Sequence, residues 1–126
     1  QLKLEGMPPE IAGMSEDEAV VFLKDAADIA ADKLKKSPLS ENFADYRTKV
    51  SQCMRYIVKH AYGTEQYARS GRNKMGRKLA PNTLVVVINK KLDEIAQWLM
   101  HSHSDTLQML AKVEEINGLL VDVMAT

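Results

Sequence analysis

The most distinctive polar feature of the sequence is a stretch rich in cations between residues 69 and 78. It contains two glycines and five basic side chains, Arg69, Arg72, Lys74, Arg77 and Lys78. Cations at this density can contact phosphates, anionic lipid headgroups or an acidic partner surface. The same composition is typical of a solvated loop between helices, and we favour that interpretation because charge runs in loops are common without a partner. The five cations are nevertheless the candidate partner- or anion-binding residues.

Two glycines in this stretch, Gly71 and Gly76, have the spacing of a phosphate-binding loop. That motif requires Lys and then Ser or Thr after the second glycine, between a buried strand and a helix. Here Arg77 and Lys78 are followed by Leu79, and no apolar strand precedes the stretch. The sequence therefore does not predict a nucleotide site. An arginine from the stretch could still act in trans on a nucleotide-hydrolysing enzyme, although no further motif indicates this role.

The histidines and the cysteine do not form a site in the sequence. Zinc requires three or four ligands, and helical pairs are normally three or four residues apart, whereas His101 and His103 are two apart. A Ser–His–Asp triad within 101–105 is unsuitable, because its members must approach one another from different directions. Cys53, next to Met54 on an apolar helix face, is expected to be an inert core thiol. We therefore predict no metal, no cofactor and no enzymatic activity.

Composition limits the class of protein. The 126 residues suit one domain, and 17 basic and 17 acidic side chains cancel, which argues against a dedicated nucleic-acid-binding protein. A single cysteine cannot form an internal disulfide, so a reducing compartment such as the cytoplasm is expected, with a secreted protein without disulfides as the alternative. No uncharged apolar run approaches the roughly 18 residues of a membrane span, so no transmembrane segment is predicted.

Four segments repeat apolar residues at steps of three and four, which predicts four helices. Ser15 and Glu18 form a capping box before the first helix, and Pro38 follows its end. Ser40 is the expected N-cap of the second helix, and Asn82 or Thr83 that of the third. The predicted helices span about 16–36, 41–62, 83–101 and 105–124. Their core stripes include Val20, Leu23, Ala27, Ala30 and Leu34 in the first helix and Leu120 with Val123 or Met124 in the last.

The segment 101–105 admits two interpretations. It contains neither Gly nor Pro, so one helix could continue over 83–124, and the chain would then be expected to form a homodimer. Such a helix would be several times longer than is usual in globular proteins, so we favour a turn with Ser104 or Asp105 as the new N-cap. Short links make successive helices antiparallel neighbours. The sequence thus predicts an all-α, up-and-down bundle of four helices.

The domain organisation expected from the sequence is simple. Residues 1–14 form an extended lead-in with one helical turn around 9–12, and residues 15–126 form a single helical-bundle domain. Because the chain begins with Gln1 rather than Met, we expect it to be part of a longer protein. The leading hypothesis is a non-enzymatic, adaptor or regulatory protein–protein interaction domain. The alternatives are nucleic-acid or anionic-membrane binding through the stretch 69–78, and regulation of a nucleotide-hydrolysing enzyme through one of its arginines.

Overall fold

A computed structural model describes residues 6–62, 81–101 and 106–125, and these residues form four α-helices. Helix α1 spans Glu16–Lys36 and α2 spans Ser40–Ile57, which continues as a π-helix over Val58–Tyr62. Helix α3 spans Pro81–His101 and α4 spans Thr106–Ala125, while a short 3₁₀ helix, Pro9–Gly13, precedes α1. The described residues contain no strand. The predicted all-α fold is therefore confirmed.

The boundaries of α1 agree with the prediction because its end signals are local. The Ser15 hydroxyl accepts a hydrogen bond from the Glu18 backbone N–H at 3.2 Å, and the Glu18 carboxylate accepts one from the Ser15 N–H at 3.2 Å. Two N–H groups that lack partners within the helix are thus satisfied. Lys33, Lys35 and Lys36 occupy the last turn, where cations complement the helix dipole.

Helices α2 and α3 begin earlier than predicted. Leu39, in an extended conformation, is the N-cap of α2 and supplies no side-chain cap, so the assignment of Ser40 as cap is wrong. The Asn42 amide instead donates to the Ser37 carbonyl at 2.8 Å and fixes the link between the two helices. Helix α3 begins at Pro81, because proline fits the first turn of a helix, where no N–H is required. The caps expected at Asn82 and Thr83 are therefore also wrong.

Helices α3 and α4 lie side by side and antiparallel. Lys91 pairs with Glu115 at 2.8 Å, and Lys112 pairs with Glu94 at 2.9 Å, so the residues meet in opposite order along the two helices. This geometry excludes the alternative of one continuous helix over 83–124. A homodimer was expected only if that helix were continuous, so the helices give no reason to expect one.

Ion pairs also join α2 to α3 and α1 to α4. Arg47 of α2 pairs with Asp93 of α3, and Lys35 of α1 pairs with Glu114 of α4. Each helix therefore contacts the preceding and the following one, and α4 returns to α1. The predicted up-and-down bundle is confirmed.

The core lies between the four helices and is mainly aliphatic. Its largest fully buried side chains come from every helix: Leu23, Leu34, Tyr46, Val50, Ile88, Leu92, Ile95, Met109, Val113, Ile116, Leu120 and Val123. The 3₁₀ helix adds Ile11, so residues of the predicted lead-in contribute to the core. In α1, Ala19 is buried and Val20 is only half-buried, which places Val20 at the edge of the predicted stripe.

Candidate binding grooves

The sites predicted from the sequence fall largely on residues that the structure does not describe. Arg69, Arg72, Lys74, Arg77 and Lys78 all lie outside the described ranges, and so does His103. His101 is exposed in the last turn of α3. Within the described ranges, no three His, Cys, Asp or Glu side chains are grouped so that they could hold a metal ion.

Cys53 has the properties of a core thiol. Its side chain is 0% exposed, and burial raises its pKa from 9.0 to about 12. The charge of Lys24 opposes this increase, while that of Asp28 adds to it. Because the thiolate is the reactive form, such a thiol is a poor nucleophile and a poor metal ligand. The predicted position of Cys53 in the core is confirmed, and its low reactivity stays a prediction.

A groove of about 300 Å³ opens where the start of α1 meets the ends of α2 and α4. Its walls are formed by Glu16, Asp17, Val20, Val21, Tyr56, Ile57, His60 and Met124. We call it the acidic groove. Val21 is 54% exposed and Met124 is 36% exposed, so two apolar side chains at its edge face solvent. Val121 is exposed one turn before Met124 on α4, which extends the apolar surface.

The two carboxylates of this groove lie on its α1 rim. Glu16 and Asp17 belong to the first turn of α1, and neither forms an ion pair with another described residue. Burial raises the pKa of Tyr56, and the charge of Glu16 raises it further, so its hydroxyl stays protonated beside that carboxylate. The rim thus carries negative charge next to an apolar floor.

The π-helical turn supplies the third wall of the acidic groove. His60 stacks on Tyr56, with ring centroids 4.2 Å apart and planes inclined by 23°. The Nε2 atom of His60 is buried and has no hydrogen-bond partner among the described residues. Short π-helical turns occur frequently at functional sites, where they place a side chain that a regular helix would direct elsewhere.

A second groove, of about 360 Å³, lies between α2 and α3. Its apolar floor consists of Met54, Val58 and Val85, and its α2 rim carries Arg55 and Lys59. Ser51 and Asn89 complete the lining, and none of the described lining residues is acidic. We call it the basic groove.

Neither groove was predicted from the sequence, although a signal exists. The predicted stripes included Val20 in α1 and Val123 or Met124 in α4, whereas the structure buries Ala19 rather than Val20 and, of the α4 pair, Val123. Apolar residues that fall just outside the buried face, as Val21 also does, mark the wall of the acidic groove. Choosing between adjacent apolar positions requires the position of the neighbouring helix, which the period alone does not give.

The fold and its grooves define a class: a closed four-helix bundle that presents apolar grooves at its surface. The chain belongs to the DUF327 family, whose model, described as "Protein of unknown function (DUF327)", matches residues 10–124. The fold is similar to the crystal structure of protein TM1646 from Thermotoga maritima, a DUF327 protein, with a TM-score of 0.72. The two chains are 22% identical, and the match covers 88% of this chain and 89% of that one.

Two further findings complete the comparison. None of the curated proteins matches the chain. Among the described helices, none has the length and apolar composition needed to cross a membrane.

Proposed function

We propose that this domain is a non-enzymatic protein–protein interaction module that binds a helical segment of a partner in the acidic groove. One observation supports the proposal: the groove leaves the apolar side chains of Val21 and Met124 exposed beside two carboxylates that pair with no described residue. Burying such apolar surface favours association, at roughly 25 cal/mol per Å² before the costs of binding are counted.

The shape and charge of the groove define the partner segment. An amphipathic helix binds a groove through apolar residues at positions i, i+3, i+4 and i+7. Lys or Arg beside these residues would pair with Glu16 and Asp17, whereas Asp or Glu would be repelled. The expected ligand is therefore an amphipathic helix that carries cations along one edge.

A matched pair of synthetic peptides tests the proposal. Both carry leucine at the helix-in-groove spacing; one has lysine beside the leucines, and the other has glutamate at the same positions. Titration into the isotope-labelled chain, followed by NMR, should shift the resonances of Val21 and Met124 with the lysine peptide and not with the glutamate peptide. Failure of the lysine peptide to bind would refute the proposal.

Two variants with equal added charge locate the binding site. Val21→Lys should weaken binding of the lysine peptide about tenfold, because it combines charge repulsion with loss of apolar contact. Ile29→Lys is the control, since Ile29 is 66% exposed on the same helix and does not line the groove. Equal losses in both variants would show a general charge effect and contradict the assignment. Concentration-dependent dimerisation that Val21→Lys abolishes would also contradict it, because the occupant would be a second copy of the chain.

The roles suggested for the cationic stretch remain predictions from the sequence. Binding of nucleic acid or anionic vesicles by Arg69, Arg72, Lys74, Arg77 and Lys78 would weaken steeply with added salt. Stimulation of a nucleotide-hydrolysing enzyme would be lost on substitution of the responsible arginine. Replacing Arg72, Arg77 and Lys78 together by alanine should leave binding of the lysine peptide unchanged. This variant therefore separates the two surfaces.

A further inference from the structure

We infer that the basic groove between α2 and α3 is a second docking surface, which binds an acidic amphipathic helix of another protein. The inference goes beyond the proposed function, because it concerns different residues and a ligand of opposite charge. A domain with both surfaces would join two partners, one cationic and one acidic along the binding edge.

The packing of the helices explains why a groove exists there. Helix α2 packs more closely against α1 than against α3. The half-buried side chains of Val58 and Val85 and the buried side chain of Met54 line the space between α2 and α3. Methionine is flexible and adapts its shape to different apolar partners. The floor is thus suited to receiving the apolar residues of a docked helix.

The rim of the basic groove has a defined charge. Arg55 and Lys59 are four residues apart, at the end of α2 and in the π-helical turn, and both are exposed. The carbonyl of Gly6 accepts a hydrogen bond from the Gln52 side chain at 2.5 Å, which anchors the segment before α1 beside this rim. Gly6 has a φ of +79°, and a Cβ added there would lie 2.8 Å from the Arg55 guanidinium. Glycine therefore allows the backbone to approach Arg55 closely, and the segment limits where its guanidinium can lie.

Charge complementarity identifies the occupant. Lys59 forms no ion pair with another described residue, and no acidic side chain is among the described lining residues, so a helix that carries Asp or Glu beside its apolar face is attracted. A helix with Lys or Arg at these positions is repelled, so the two grooves discriminate between the two classes of ligand. The first turn of α1 in a second copy also carries acidic residues, and the test must distinguish that occupant.

The glutamate peptide described above tests the inference on the intact chain. Its titration should shift the resonances of Val58 and Val85, and leave those of Val21 and Met124 unchanged. Val85→Glu should weaken its binding about tenfold, since a carboxylate would enter the apolar floor. Val86→Glu is the matched control, because Val86 is 59% exposed on the same helix and does not line the groove. Equal effects of the two substitutions, or no binding of the glutamate peptide, would overturn the inference.

Charge reversal gives a second test that does not alter the apolar floor. Lys59→Glu should lower affinity for the glutamate peptide about fivefold, whereas Lys90→Glu, an exposed lysine on α3 outside the lining, should change it little. Self-association that Lys59→Glu abolishes would identify a second copy as the occupant and overturn the inference. Val21→Lys should not reduce binding of the glutamate peptide. The failure of either groove can therefore be distinguished from the failure of the other.

Discussion

The buried thiol of Cys53 gives a quantitative test of the packing between α1 and α2. Burial raises its pKa to about 12, so the folded chain keeps the thiol neutral where an unfolded chain would ionise it. At pH 8 a thiol of this pKa is ionised in about one molecule in ten thousand, against roughly one in ten for a thiol with the ordinary pKa of 9.0. Thiol modification of the folded chain should therefore be about a thousandfold slower, or more, than that of the unfolded chain.

The same pKa makes the stability of the fold depend on pH. Because the folded-state pKa is higher than the unfolded one, unfolding releases a proton above pH 9, and the stabilising contribution is lost as pH rises towards 12. Between pH 8 and pH 10 the free energy of unfolding should fall by about 1.4 kcal/mol because of this group. We compare stability only up to pH 10, because burial also raises the pKa of Tyr46. Above its ordinary pKa of 10.0, Tyr46 would add its own pH dependence to the free energy of unfolding.

Two measurements check these values. The rate of labelling of Cys53 by a chromogenic disulfide reagent at pH 8 is compared without denaturant and in concentrated urea. Urea unfolding at pH 8 and pH 10 is then compared for the wild type and for Cys53→Ala, which should lose the part of the pH dependence assigned to the thiol. Rapid labelling of the folded chain, or an equal pH dependence in the variant, would refute the assignment of Cys53 to a closed core.

The remaining predictions concern the helices that support the grooves. Leu92→Ala should lower the free energy of unfolding by about 2–5 kcal/mol, because Leu92 is fully buried between the helices. Val86→Ala, on the exposed face of the same helix, should change it by less than about 0.5 kcal/mol, and urea unfolding of the two variants checks the difference. Ser15→Ala should cost about 1 kcal/mol by removing the cap of α1, and an unchanged unfolding midpoint would contradict the capping role. The pKa of Glu94 is lowered mainly by its hydrogen bond with Lys112, so Lys112→Met should raise that pKa in an NMR titration.

How much of the fold is predictable depends on how local its causes are. The limits of α1 follow from Ser15, Glu18 and Pro38, which act within a few residues of each helix end, and the prediction is confirmed there. The start of α2 was misplaced by one residue because Leu39 forms the N-cap without any side-chain bond, and a sequence pattern indicates only side-chain caps. The ambiguity at 101–105 was resolved by contacts between α3 and α4, which no local pattern contains.

The grooves could not be predicted because each depends on several separated segments. Tyr56 and Met124 are far apart in sequence and share the acidic groove only because the bundle closes on itself. Helical periodicity shows which side of one helix is apolar, but not how far the next helix stands from it. The sequence analysis placed the candidate site in the cationic stretch 69–78. These residues lie outside the described ranges, so the structure does not test that site.

The contact between α1 and α4 has a consequence for the order of folding. Three of the four neighbouring helix pairs are hairpins of helices that follow one another in the chain, so their contacts join residues that are closer together in the sequence. The pair of Lys35 and Glu114, by contrast, joins residues 79 positions apart, so its formation restricts more than half of the chain at once. We expect the three hairpin contacts to form before the seam between α1 and α4. The transition state for folding would then already contain α1 packed on α2. Substitutions along the seam would then accelerate unfolding and leave the folding rate almost unchanged.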